Sequence, residues 1–139
     1  WITSRGLGDV YKRQLEKIKM IDPSLIILAG FLLKIPEQII DYFPKKIVNI
    51  HPSLLPKYGG KGMYGMNVQK KIIENKESKS GISIHYINKY YDEGELITQK
   101  TIEITYPTNA LNLSKEIHKL EMKHFPITIE KLLNNFNNE

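Results

Sequence analysis

The sequence has no cysteine and a single tryptophan in 139 residues. Without cysteine there is no disulfide framework and no thiolate metal site, which excludes the small stapled domains of secreted proteins and suits the reducing cytoplasm. Also lacking is any apolar run near the roughly 20 residues of a membrane helix. The longest apolar stretches, "LIILAGFLL" and "KIVNI", are interrupted by glycine or polar residues. Charge is not gathered into blocks of one sign. The net +5 is spread as single lysines over helix-like stretches, the pattern of solvated faces rather than of a nucleic-acid footprint. The expected partners are therefore small molecules, anionic ones included, and neither nucleic acid nor membrane. What is present suffices for a folded domain, since 41% hydrophobic residues over this length can bury a core.

Residues 1–14, "WITSRGLGDVYKRQ", stand apart from the rest. They hold the only tryptophan, and their pattern gives way at Leu15 to a lysine-rich amphipathic one. Ser4 to Gln14 can be back-translated into DNA that looks like the transposase adapter used to prepare sequencing libraries. The segment is expected to be adapter-derived and is set aside from fold reasoning. Arg5, Lys12, Arg13 and Asp9 then leave the charge count, which shrinks the basic excess.

From Leu15 the chain alternates helical and strand patterns, the mark of an α/β domain with a mainly parallel open sheet. "LEKIKMI" reads as the end of a helix, and Asp22-Pro23 forces a turn, because the residue before proline is pushed out of the helical region. "LIILAG" is expected as a strand buried on both faces. "PEQIIDYF" is a short amphipathic helix on Ile39, Ile40 and Phe43. "KKIVNI" is the next buried strand, ending at His51, and a glycine-rich loop leads to a helix over Asn67 to Glu74. "GISIHYIN" and "LITQKTIEI" are two strands close enough in sequence to pair antiparallel. From Thr108 a long amphipathic helix is expected, with Leu111, Ile117, Leu120, Ile127 and Leu132 at core spacings and a kink at Pro126.

Open α/β sheets place their sites where the carboxyl ends of strands meet loops. Asn49 and His51 lie at such an end, and alternation along a strand projects both to one side. Pro52 stops the strand before another residue covers His51. On the loop after the following strand, "YYDEGEL" offers Asp92, a carboxylate that would favour the imidazolium form of His51. Asn49 is suited to donate to a developing oxyanion. An amide, an imidazole and a carboxylate suit acyl transfer or hydrolysis without a covalent enzyme intermediate, although a lone histidine at a strand end is more often structural.

"NIHPSLLPKY" together with "SGISIHYINKYYDEGELITQ" resembles the folate-dependent formyltransferase family, over about Leu15 to Leu133. The resemblance implies a Rossmann-like fold, with residues 15–139 as the C-terminal part of a catalytic domain whose N-terminal strands are missing. It further implies 10-formyltetrahydrofolate as co-substrate, no metal, and a formyl group passed to the amine of glycinamide ribonucleotide in purine synthesis. Asn49 and His51 then stabilise the tetrahedral intermediate, Asp92 holds the imidazolium and moves protons through water, and His85 supports them from the neighbouring strand. "LAGFLLKIP" matches the loop that brackets the pteridine, which assigns Leu33 and Ile35 to the folate, with Asn88 and Asp92 facing them. "HKLEMKHFP" resembles the helix whose glutamate binds the ribose, which assigns Glu121 and, secondarily, His118 to the nucleotide; His124 is left as structural. Rival readings in the same family act on methionyl-tRNA, on sugar nucleotides or on formyltetrahydrofolate by hydrolysis. A non-catalytic binding module is the rival outside it.

Two departures from the family pattern stand out. The usual "DGGP" is here Asp92-Glu93-Gly94-Glu95, with one glycine kept. The loop "YGGKGMYGMN" carries one lysine where many members have histidines or arginines.

Overall fold

The computed structural model describes residues 4–28, 34–90 and 93–137. Its elements are α1 (Ser4–Ile21), β1 (Ile26–Ile27), α2 (Glu37–Tyr42), β2 (Ile47–His51), α3 (Met66–Glu74), β3 (Lys79–Tyr86), β4 (Leu96–Glu103) and α4 (Ala110–Asn137). The four strands form one sheet in the order β1-β2-β3-β4. The α/β class is as the alternating pattern implies, and the sheet is mixed. β1 and β2 are parallel with α2 in the crossover, whereas β2–β3 and β3–β4 are antiparallel.

Local chemistry sets the element ends. α1 closes where the Asp22 N–H donates to the Ile18 carbonyl (2.9 Å), with Asp22 in the left-handed region (φ 50) just before Pro23. Pro36 sits at the N-cap of α2 with φ −58, where its missing N–H costs nothing. α4 is capped by Asn109, the residue before it, whose Oδ1 accepts the Asn112 N–H at 2.8 Å and so satisfies one orphan donor of the first turn. The helix then runs through Pro126 without ending there.

The two faces of the sheet differ. On one, Ile82 packs with Ile104, with Val68 and Ile72 of α3 and with Leu113 and Ile117 of α4, and Ile50 leans on this cluster. The opposite face is apolar at its β1 end, where Leu15 and Ile18 of α1, Ile39 of α2 and its C-cap Phe43 gather around Ile47. Toward β4 that face turns polar, with His51, Ser83 and His85 all buried. Among the described side chains of α1, Lys12, Arg13 and Gln14 are exposed and the packed face begins at Leu15.

Three core expectations need correction. Ile27, expected to be buried, is 41% exposed, because β1 is the end strand of the described sheet. Leu111 and Ile127 are exposed as well. The face that α4 buries runs through Leu113 and Ile117, one helical turn apart, with Leu120 behind them. At 100° per residue Leu111 points well away from that stripe. Leu111→Ala is therefore expected to change unfolding free energy by less than about 0.5 kcal/mol in urea titrations, as for any surface substitution.

Candidate active site

Strand register assembles the site. Asn49 of β2 pairs with His85 of β3, and His51 pairs with Ser83, which in turn pairs with Gln99 of β4. Cross-strand partners share a face. The amide, the two imidazoles, the serine and the glutamine therefore form two adjacent polar rows at the carboxyl end of β2.

In the first row, Asn49 Nδ2 lies 3.5 Å from His85 Nε2, a long contact, and His85 Nδ1 lies 3.0 Å from the Tyr86 carbonyl oxygen. A carbonyl only accepts, so Nδ1 carries the hydrogen and Nε2 is left to accept from the Asn49 amide. That orientation aims the Asn49 NH2 group along the sheet. His85, expected to support the site, is fully buried directly opposite Asn49.

In the second row, His51 Nε2 is 2.7 Å from the Tyr58 carbonyl oxygen. The loop between them is held by a buried network. Ser83 Oγ–H donates to the Ser53 carbonyl (2.7 Å) while accepting from the Leu55 N–H (2.9 Å) and from Gln99 Nε2 (2.9 Å). Gln99 Nε2 also reaches the Leu55 carbonyl (3.0 Å), and Ser53 Oγ–H donates to the Lys57 carbonyl (2.7 Å). From α3, Gln69 Nε2 donates to the Pro52 carbonyl at 3.0 Å. One hydroxyl thus uses its donor and both acceptor positions to clamp the chain just after His51.

Gly94, the one glycine kept in the "DEGE" loop, explains why that departure is tolerated. A Cβ at this position would collide with the Tyr86 carbonyl oxygen, the same atom that orients His85. The loop closes on β3 through the Tyr86 N–H to the Glu95 carbonyl at 2.9 Å. Only glycine permits so close an approach.

The remaining sequence-derived residues fall elsewhere or beyond description. Asp92 and Leu33 lie outside the described residues. Asn88 Oδ1 accepts the Tyr90 N–H (2.8 Å), an Asx turn that shapes the loop leading toward residue 92. Ile35 is half-buried and packs against the Ile39–Phe43–Ile47 cluster. Glu121 and His118 form a second cluster, one turn apart on α4, with Oε2 and Nδ1 3.8 Å apart. Burial pushes the Glu121 carboxyl above its ordinary value, against a smaller opposing pull from His118. His124 moves down, mainly by burial and further by the Lys100 and Lys123 charges. Among the described residues no three His, Asp or Glu side chains are grouped to hold a metal.

A profile of the formyl transferase family matches residues 8–129. The chain belongs to that family. Among curated relatives, the chloroplastic phosphoribosylglycinamide formyltransferase of Arabidopsis thaliana is 40% identical over 99 residues, covering 68% of this chain and 34% of the relative. The phosphoribosylglycinamide formyltransferase of Bacillus subtilis (strain 168) is 34% identical over 119 residues, 86% of this chain and 58% of its own. The crystal structure of phosphoribosylglycinamide formyltransferase from Bacillus halodurans superposes with a TM-score of 0.81 at 25% identity, over 96% of this chain and 64% of that one. This formyl transferase chain thus spans 34% and 58% of the length of those two curated relatives. Within it, Tyr58, Ser53, Gln69, Ser83 and Gln99 are site-building residues that motif reading passed over. Tyr58 and Ser53 stand inside "NIHPSLLPKY", but their roles run through backbone carbonyls, which leave no mark in residue type.

Proposed function

We propose that this chain is part of a phosphoribosylglycinamide formyltransferase, transferring the formyl group of 10-formyltetrahydrofolate to the amine of glycinamide ribonucleotide in a reducing cytoplasm. The observation that carries the reading is the pairing of Asn49 with His85 beside His51 at the end of β2, in a chain whose family relatives bear that name. In the proposed reaction the substrate amine attacks the formyl carbon, and the carbonyl π pair moves onto oxygen. Asn49 Nδ2–H and the His51 ring donate to this oxyanion, worth about 10²–10³ in rate per donor at such sites. A proton leaves the new ammonium through water to the Asp92 carboxylate and is returned to N10 of the folate. The C–N10 bond breaks as the carbonyl re-forms, so atoms and charge balance. Leu33, Ile35, Asn88 and Asp92 are assigned to the folate side, and Glu121 with His118 to the nucleotide.

The same proposal takes residues 1–14 as adapter-derived and residues 15–139 as the C-terminal part of the catalytic domain. Two features support it: among the described side chains the packed face of α1 begins at Leu15, and β1, the end strand of the described sheet, leaves Ile27 exposed. α1 itself runs unbroken across Gln14 and Leu15, and the family match begins at residue 8. The test is to read the genomic locus upstream of the Leu15 codon, then assay the chain with its genomic N-terminal residues for glycinamide ribonucleotide-dependent release of tetrahydrofolate. Release only with that acceptor supports the reading, and release with water alone replaces it by the hydrolase.

The Glu121 assignment has a pH consequence. With its carboxyl raised by burial, Glu121 binds a proton over a range where an ordinary glutamate is already ionised. As a carboxylate it accepts from two ribose hydroxyls, whereas its protonated form loses acceptor capacity. KM for the nucleotide is expected to fall as pH rises through that raised value and then level off. Glu121→Gln is expected to abolish this slope; steady-state KM measured at several pH values checks it.

A further inference from the structure

Among the described residues, Tyr58 is one of four non-glycine residues held in the left-handed region, with φ 56. A glycine would adopt this conformation freely, while a tyrosine there needs surrounding contacts to hold it. The contacts come from the end of α3. Tyr58 Oη–H donates to Glu77 Oε1 at 2.7 Å and accepts from Asn75 Nδ2 at 2.9 Å. α3 closes with the Lys76 N–H on the Ile73 carbonyl (3.0 Å) and the Glu77 N–H on the Ile72 carbonyl (3.3 Å), Lys76 itself being left-handed. This paired closure places Glu77 immediately beyond the helix. The Tyr106 hydroxyl donates to the Glu77 carbonyl (2.9 Å), and Lys57 Nζ lies 3.5 Å from Glu77 Oε1. The Tyr58 hydrogen bond is also the largest cause holding the Glu77 carboxyl below its ordinary value, so the acceptor is ionised at neutral pH.

So held, Tyr58 directs its carbonyl oxygen at His51 Nε2. Because that oxygen can only accept, Nε2 keeps its hydrogen in both the neutral and the cationic ring. We infer that Tyr58, fixed by the C-terminal cap of α3, is the positioning residue that sets the tautomer and plane of His51 for formyl transfer. The inference rests on the formyl-transfer reading of His51, but its first readout needs no substrate.

Ring-nitrogen NMR of ¹⁵N-histidine protein, at a pH where His51 is neutral, reads the tautomer directly, with His51→Gln identifying the signals. The expected result is a neutral ring that carries its hydrogen on Nε2. Tyr58→Phe and Glu77→Ala are expected to give mixed tautomers and to lower kcat about 10- to 100-fold at nearly unchanged folate KM, the scale of a misplaced catalytic group. Glu77→Gln, which keeps an acceptor oxygen, is expected to restore most of the wild-type signature. Glu77 is partly exposed, so its variants are expected to fold. A wild-type His51 with its hydrogen on Nδ1 overturns the inference, as does a ring signature that neither Tyr58→Phe nor Glu77→Ala disturbs. If the NMR result is as expected but no formyl transfer is found, the functional reading fails and the tautomer assignment stands.

Discussion

His51→Ala is expected to lower kcat for the proposed formyl transfer by about 10²–10³-fold while leaving folate affinity nearly unchanged, because it removes the donor assigned to the oxyanion, which is used only when negative charge develops on oxygen. His51 is 4% exposed, and its ring is tied to the Tyr58 carbonyl, so alanine also leaves a small polar gap. His51→Asn controls for that gap: it keeps a hydrogen-bonding side chain but cannot carry a proton in the relevant range. Both variants are expected to be slow, and both to bind folate. Kinetics on the chain carrying its genomic N-terminal residues, alongside fluorescence titration with a non-reactive folate, separate the two effects. Turnover within threefold of wild type in either variant would remove His51 from the chemistry.

Ser83→Ala is the second large effect, and it acts on the scaffold. The hydroxyl is fully buried, donates to the Ser53 carbonyl and accepts from the Leu55 N–H and Gln99 Nε2. Its removal strands the Leu55 N–H and the Ser53 carbonyl, both on buried residues, each at about 1–3 kcal/mol, whereas the exposed Gln99 side chain still reaches the Leu55 carbonyl and solvent. The expected destabilisation is about 3 kcal/mol, read from the midpoint shift in urea unfolding. Since this network clamps the chain that follows His51, kcat should fall as well. Ser83→Thr keeps the hydroxyl but crowds the buried row, and is expected to be milder. A Ser83→Ala protein as stable as wild type would show that ordered water replaces the hydroxyl.

Much of the candidate site was legible because it consists of residue types. Asn49 and His51 two apart at a strand end, followed by proline, state their own geometry through the period of a strand. His85 was less legible. Its importance comes from register, and nothing local to "SIHYI" says that it stands opposite Asn49 rather than one residue away. Tyr58, Gln69 and Ser83 were not legible at all, since each acts on or through a main-chain carbonyl from another element. Leu111 shows the same limit in the core: its hydrophobicity was plain, but the direction it faces depends on which stripe of α4 the sheet captures.

The sequence by itself determined the class of the fold, the approximate limits of most elements, and the placing of an amide and an imidazole two apart at the end of β2. Apolar periodicity, proline and glycine act within a few residues, so a reader needs no partner strand to interpret them. Only the tertiary structure decided the pairing of Asn49 with His85, the clamp at Ser83, the need for Gly94 and the hold of Tyr58 on His51. Those depend on register and on carbonyl groups common to every residue, and their positions exist only once separate elements have packed together.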